Sequence, residues 1–221
     1  MSQVKTPGLL YVQTDVDPQH EDALNHWYDS RHMPQRKAVP GFLDTRRYRK
    51  VEGMVGSPSY LALYDLESTD VLQSDPYKAL SQPPAHADED RAVLRTLQNT
   101  LRAVMQQISS AVGTGSAQAT ATGAVLVVGL EPEPAYEEEY NAWYDEEHIP
   151  WLLPVPGVLR ARRFRGIEGP LQYLAVYNLA APEIRHSEAF EKAIDTPWSA
   201  RMRRHCVRRV TGIYRPLEAK R

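Results

Sequence analysis

The sequence predicts an α+β fold made of two copies of a β-α-β-β-α-β module, and two observations support this. A phrase occurs twice, as NHWYDSRHMP from Asn25 and as NAWYDEEHIP from Asn141. With a shift of 116 positions, 15 of 29 residues match between 25–53 and 141–169, where about two matches are expected by chance. The second observation is the same alternation of strand-like and helix-like hydrophobic patterns in both halves. Two copies of domain-sized period indicate a duplicated domain.

Each copy is predicted to begin with an apolar strand and an amphipathic helix. The first strands are Leu9–Thr14 and Ala124–Leu130, which are apolar and partly β-branched. The helices show aromatic and apolar residues at three- and four-residue spacing, and Pro34 and Pro150 are predicted to end them. Pro-Gly turns then lead into a hairpin. Its strands are predicted at Phe42–Gly53, 158–169, Tyr60–Leu66 and Tyr173–Leu179.

Each copy is predicted to end with a second helical region and a last strand. In the second copy these are Ser187–His205 and Val207–Arg215. In the first copy a helical period extends from Leu94 to Ile108, but the repeat requires a strand from about Arg102, and the repeat is followed. A Gly/Ser/Thr-rich segment, Ser109–Gly123, is typical of a flexible linker. The predicted organisation is a first module at 1–109, a linker at 110–122 and a second module at 123–221.

The β-α-β-β-α-β order is the ferredoxin-like arrangement, in which helices cover one face of a four-stranded antiparallel sheet. The other apolar face must also be covered. Two such sheets packed face to face within one chain meet that need. The predicted class is therefore α+β, a tandem duplication of a ferredoxin-like module whose two sheets form an internal pseudo-dimer.

Composition excludes several classes of function. The formal net charge of −2 provides no global basic field for nucleic acid or for an anionic membrane. The single cysteine, Cys206, rules out an internal disulfide framework and a Cys-rich metal site. The sequence shows no run of the roughly 20 apolar residues that span a bilayer and no signal-peptide pattern at its start. A soluble cytoplasmic protein is expected.

A polar stripe along the repeated helix provides the main catalytic candidates. Asn25, Asp29 and His32 follow at intervals of four and three, as do Asn141, Asp145 and His148. An aspartate at this spacing is expected to hold the histidine ring and leave its other nitrogen free as a general acid or base. The alternative is that His32 and His148 only cap the helix C-terminus.

Arg46 and Arg162 on the second strands are the candidate stabilisers of negative charge. Strand alternation places Arg46 with Phe42 and Tyr48, and Arg162 on the same face as Val158 and Phe164. The alternative is an intramolecular ion pair with Glu52 or Glu168. Aromatic and amide residues form the predicted substrate-binding set, with core packing as the alternative for the aromatic ones: Trp27, Tyr28, Tyr64, Trp143, Tyr144, Tyr177, Asn25 and Asn141.

Other site types find little support in the sequence. The spacing of six between His20, His26 and His32 does not place them on one helix face, and no HExxH or paired-Cys motif occurs, so no metal site is predicted. Phosphate-binding glycine loops and a G-x-S-x-G elbow are absent. The basic cluster RMRRHCVRR, Arg201–Arg209, is interpreted as a solvated helix end and strand entry.

The phrase Trp-Tyr-x-x-x-His-x-Pro, followed by Pro-Gly and a strand, resembles the EthD-like branch of the dimeric α/β-barrel superfamily. The resemblance covers both halves, most clearly residues 20–66 and 136–179, and implies two fused units that form one barrel. The superfamily includes muconolactone isomerases, polyketide cyclases, quinone-forming monooxygenases, haem-degrading enzymes and proteins of unknown role, so the resemblance does not fix the reaction.

The favoured hypothesis is a cofactor-independent isomerase, lyase or cyclase that uses histidine as general acid/base. Its substrate is a small oxygenated aromatic, lactone or polyketide-like compound. One alternative is a haem-binding or cofactor-free monooxygenase, and another is a non-catalytic ligand-binding or assembly protein. The expected partner is a small molecule rather than nucleic acid or membrane, and a further homodimer is left open.

Overall fold

The protein is a closed eight-stranded antiparallel barrel with helices on its outside. The computed structural model describes residues 5–53, 57–81, 88–115 and 121–217. The strands of this part of the chain are β1 Gly8–Val16, β2 Phe42–Gly53, β3 Tyr60–Leu66, β4 Leu97–Val112, β5 Ala124–Pro132, β6 Val158–Glu168, β7 Tyr173–Leu179 and β8 Cys206–Pro216. They close in the order β1-β3-β2-β8-β5-β7-β6-β4.

The helices occur in the same order in each half. The first half contains α1 Glu21–Trp27, α2 Met33–Lys37, α3 Asp75–Ser81 and α4 Asp88–Leu94. The second contains α5 Glu137–Trp143, α6 Ile149–Leu152, α7 Glu188–Ile194 and α8 Pro197–Arg204. Short 3₁₀ segments lie at Pro18–His20, Thr69–Gln73, Pro134–Tyr136 and Pro182–His186. The predicted order of strands and helical regions along the chain, β-α-β-β-α-β, is confirmed in both halves.

Two seams join the half-sheets into one barrel. Strand β2 pairs antiparallel with β8, and β4 pairs antiparallel with β6. The predicted face-to-face sheets are thus also hydrogen-bonded edge to edge, which leaves no open sheet edge in the barrel. The apolar residues form three clusters, one inside the barrel and one between helices and sheet in each half.

Strand β4 resolves the conflict between helical period and repeat. Residues 97–112 are extended, so the repeat was the better guide, but the strand starts five residues before Arg102. Its last residues, Ser110–Val112, lie in the segment predicted as linker, and they pair with β6. Residues 116–120 of that segment lie outside the described residues. The module boundaries stay a prediction.

The Pro-Gly turns need glycine for steric reasons. Gly41 and Gly157 adopt φ of +93° and +88°, in the region that glycine favours. A Cβ on Gly41 would lie 2.5 Å from Val71, and one on Gly157 would lie 2.5 Å from Ile184. The turn therefore lets the chain pass directly under the following 3₁₀ segment and enter β2 or β6.

Candidate functional site

Both copies of the repeated phrase form a π-helical turn. Tyr28–His32 and Tyr144–His148 are π-helical, with the Met33 N–H bonded to the Tyr28 carbonyl and the Ile149 N–H bonded to the Tyr144 carbonyl. Such wide turns are rare and are frequent at functional sites. The helices continue past the prolines into α2 and α6. The prediction that Pro34 and Pro150 end them is wrong, because each proline occupies an early position of the next helix, where an N–H is not required.

The π turn changes which side chains meet. The His32 ring packs at a tilt against Trp27, five residues earlier, with ring centroids 4.3 Å apart, and His148 packs in the same way against Trp143 at the same distance. An α-helix would have placed residues three and four apart on one face. The histidines therefore turn toward the aromatic core, away from the polar stripe on which the sequence placed them.

The polar stripe instead holds a buried arginine in each half. Arg163 donates to Asp145 Oδ1 at 3.0 Å and to Asn141 Oδ1 at 2.6 Å. Its guanidinium lies 4.1 Å from the centroid of the Tyr144 ring. Because Asp145 binds Arg163, while the enclosed Nδ1 of His148 has no hydrogen-bond partner among the described residues, the predicted Asp145–His148 contact is wrong.

The first half repeats this arrangement. Arg47 donates to Asn25 Oδ1 at 2.8 Å and lies 3.4 Å from Asp29 Oδ1. Its guanidinium is 4.0 Å from the centroid of the Tyr28 ring. Asp29 is thus engaged by the arginine, and the predicted role of Asp29 as the residue that orients His32 is not what the structure shows.

Arg46 and Arg162 lie on the other face of the sheet, inside the barrel, away from the histidines. Arg46 pairs with Asp44 at 2.6 Å, and Arg162 donates to Asp65 at 2.6 Å. The alternative of an intramolecular ion pair is correct in kind, but the partners differ from those expected. The error has a physical cause: register irregularities after Phe42 and after Val158 change the alternation, so Arg46 and Phe42 face opposite sides.

The two histidines have different surroundings. His32 Nε2 lies 3.1 Å from the Tyr64 hydroxyl. His148 lines a cavity of about 80 Å³ between the helices and the sheet of the second half. Although this side chain is only partly buried as a whole, desolvation lowers the pKa of His148 to about 3, with smaller effects of the Arg203 and Arg163 charges. The second half therefore presents a neutral imidazole to a cavity.

The cavity beside His148 is apolar inside and basic at its rim. Tyr177 is fully enclosed, and burial raises the pKa of its phenol well above the usual value, so that it stays a neutral donor. The cavity lining also includes three arginines, Arg185, Arg203 and Arg208. The apolar residues of the lining are Leu126, Val128, Leu130, Leu152, Phe190 and Ile194. This arrangement suits a small anion whose charge stays at the rim.

Sequence reasoning missed the rim arginines and a buried aspartate. Arg203 and Arg208 belong to the basic cluster that was interpreted as solvated, and only the fold brings them to the cavity. Asp90 accepts from Trp27 Nε1 at 2.6 Å and pairs with Arg31 Nε at 2.8 Å. In the second copy the equivalent tryptophan has a hydroxyl as its acceptor instead of a carboxylate: Trp143 Nε1 donates to Ser199.

The substrate-binding residues predicted from the sequence divide into two sets. Trp27, Trp143, Tyr28 and Tyr144 are buried between helices and sheet, as the packing alternative stated. Trp143, Tyr144 and Tyr177 also line the cavity with His148, so the two interpretations are compatible in the second half. Tyr64 contacts His32, while Asn25 and Asn141 bind the strand arginines.

Neither a metal cluster nor a membrane-spanning helix is found in the part of the chain that the structure describes. No group of three or more His, Cys, Asp or Glu side chains there could hold a metal ion. No helix among residues 5–53, 57–81, 88–115 and 121–217 is long and apolar enough to cross a bilayer.

Comparison with known proteins identifies the fold. No family model and no curated protein matches the sequence. Among solved structures, an anthrone oxidase-like protein has a TM-score of 0.67 at 12% identity, and the match covers 98% of this chain and 93% of that chain. The chain has the dimeric α/β-barrel fold. The fold expected from the resemblance is confirmed, while membership of the superfamily and of its EthD-like branch stays a prediction.

Further structures with the dimeric α/β-barrel fold extend this comparison. A protein proposed to be a monooxygenase, from Fusobacterium nucleatum, matches with a TM-score of 0.63 at 10% identity, covering 97% of this chain and 94% of that chain. A mutant chlorite dismutase from Candidatus Nitrospira defluvii matches with a TM-score of 0.63 at 11% identity, covering 97% and 92%. At such low identity these likenesses concern architecture, and activity must be argued from the site.

Proposed function

We propose that this chain is a cofactor-independent enzyme in which His148 transfers a proton on a small, anionic, oxygenated compound. The observation that carries the proposal is the enclosed, unpartnered Nδ1 of His148 among the described residues, in a side chain that lines a cavity rimmed by arginines. A buried polar atom without a partner is costly and calls for an explanation. In this proposal, a proton of the bound substrate is the missing hydrogen-bond partner of His148 Nδ1.

The charges around His148 favour an anionic substrate. Without ligand, desolvation and Arg203 hold the pKa of His148 near 3, which makes the imidazole a weak base. A bound anion would offset the arginine charges and raise that pKa toward the operating pH, where general base catalysis is most efficient. The same arginines then stabilise the enolate or phenolate that forms when the proton leaves.

His148 and Tyr177 have complementary roles in this scheme. The neutral imidazole accepts the proton from an acidic C–H or O–H of the substrate and returns it at another position. The Tyr177 phenol, kept protonated by burial, donates a hydrogen bond to a substrate oxygen. Proton removal and return give isomerisation or, with loss of a leaving group, elimination.

The cavity also bears on size and on haem. About 80 Å³ is well below the 300–1,000 Å³ of pockets for drug-sized ligands. A substrate of a few heavy atoms fits, and an aromatic compound would need the rim arginines to move. Haem is larger still, so the residues around His148 do not fit this cofactor in the conformation described, and no step is assigned to it.

A cofactor-free oxygenase is the second candidate, favoured by the structural relatives described as anthrone oxidase-like and as a proposed monooxygenase. It shares the first step with the leading proposal. After His148 removes the proton, O₂ adds to the carbanion of a CH₂ group, and loss of water leaves a carbonyl. Carbon is oxidised, O₂ is reduced, and water is the second product.

We further infer that the two halves arose by tandem duplication and that the second carries the activity. The repeated phrase and the identical order of elements support the duplication. His32 is engaged by Tyr64, whereas His148 lines the cavity. A cytoplasmic location and the absence of a nucleic-acid partner remain part of this proposal.

The test is deuterium exchange and oxygen uptake with a panel of small enolisable carboxylates and phenols. In D₂O, the wild-type protein should exchange a substrate proton, and His148→Gln should lower the rate by about 10²-fold or more. Oxygen uptake with the same compound would select the oxygenase. His32→Gln serves as the matched variant and should retain most of the rate. Equal rates in His148→Gln and wild type would refute the proposal and favour a binding or assembly protein.

A further inference from the structure

A second cavity, which is polar, lies inside the barrel at one of its ends, and it is separate from the cavity at His148. It measures about 100 Å³ and is lined by Asp44, Arg46, Tyr48, Leu63, Asp65, Arg160, Arg162 and Asn178. The charged residues come from β2 and β3 of the first half and from β6 of the second, and Asn178 lies on β7. We propose that this cavity binds a small oxyanion, such as a phosphate or a short dicarboxylate, across the two halves.

Arg162 forms the floor of the cavity and has unused hydrogen-bonding capacity. Its side chain is only 7% exposed. One guanidinium nitrogen donates to Asp65 at 2.6 Å across the barrel. The buried Nε–H has no partner among the described residues, and a buried guanidinium N–H without an acceptor is costly. Oxyanions are the acceptors that a guanidinium binds most strongly.

Two further arginines stand at the rim. Arg46 pairs with Asp44, and Arg160 donates to Ser110 at 3.0 Å. Three arginines and two carboxylates give the cavity a net charge of +1. Desolvation and the neighbouring Arg162 charge lower the pKa of Arg160, and the Asp65 carboxylate opposes them in part.

The excess positive charge comes from positions at which the two halves differ. Asp44 and Asp65 of the first half correspond to Arg160 and Asn178 in the second. The second half thus has an arginine and an amide where the first half has two carboxylates, while Arg46 and Arg162 occupy equivalent positions. The Asn178 side chain donates to Thr122 through its amide nitrogen. The two halves therefore contribute unequal charges to one basic cavity.

Isothermal titration with inorganic phosphate and with malonate, in low-chloride buffer, tests the site on the full chain. Wild type should bind at least one anion per chain, and one binding event should depend on this cavity. Arg160→Gln, and Asn178→Asp, which restores the carboxylate of the other half, should each weaken binding at least tenfold. Stronger binding of phosphate or of malonate identifies the kind of oxyanion. Far-UV circular dichroism confirms that both variants are folded.

Two control variants separate this site from other basic surfaces. Arg165→Gln removes a charge from the outer face of the same strand and should leave the affinity unchanged. Arg203→Gln alters the rim of the His148 cavity and should also leave it unchanged. The proposal is overturned if wild type binds neither anion, if both Arg160→Gln and Asn178→Asp bind like wild type, or if Arg203→Gln removes binding.

Discussion

Replacing His148 with glutamine should make the protein less sensitive to acid. The pKa of His148 is lowered from 6.5 to about 3 in the folded chain, so between these values the unfolded chain binds a proton that the folded chain does not. The folded state is then favoured above pH 6.5 and loses this contribution as the pH falls. From pH 7.5 to 5.0 one such proton corresponds to about 2 kcal/mol of unfolding free energy.

Urea unfolding at both pH values, followed by far-UV circular dichroism, measures this quantity. The difference in unfolding free energy between His148→Gln and wild type should move by about 2 kcal/mol in favour of the variant on going to pH 5.0. Contributions of other groups cancel in this difference. His26→Gln, on the exposed side of α1, is the control for removing a histidine. An unchanged difference between the two pH values would refute the assignment of a neutral, desolvated His148.

Three further substitutions test packing around the two sites. Asp90→Ala leaves the buried Trp27 and the partly buried Arg31 without their acceptor and should cost about 2 kcal/mol in urea unfolding. A loss under ~1 kcal/mol would contradict this prediction. Gly157→Ala places a side chain at a backbone φ of +88° and in contact with Ile184. This substitution should lower Tm by about 4–8 °C in calorimetry, and an unchanged Tm would argue against the turn geometry. Arg163→Met removes two hydrogen bonds and a cation–π contact, at about 2–3 kcal/mol in urea unfolding, and a neutral result would show that the network contributes little.

The fold was predictable because local and repeated patterns agreed. The strands Tyr60–Leu66 and Tyr173–Leu179 were located to the residue, since each is an apolar run between turns and each supports the other. Strand β4 was harder, because its apolar residues also follow a helical period. Pairing with β1 and β6 outweighs that local pattern, and such long-range pairing has no local signal.

The site was predictable only in part, and the π turn explains most of the difference. The sequence singled out His148 and Tyr177, which the structure places beside one cavity. It assumed 3.6 residues per turn, however, when it assigned Asp145 to the histidine. One widened turn rotates the His148 ring against Trp143, and Asp145 accepts a hydrogen bond from Arg163 instead. The strand irregularity after Val158 had a similar effect on Arg162. Neither irregularity has a clear signature in residue type.

The seam between β2 and β8 has a consequence for how the chain folds. Arg49 of β2 pairs with Arg215 of β8, so one edge of the first half-sheet finds its partner only after most of the chain has been synthesised. Until then β2 offers unpaired backbone groups to any other strand. Pairing across such a sequence separation is slow, typically milliseconds to seconds. During synthesis the first half therefore passes through a stage in which aggregation competes with barrel closure.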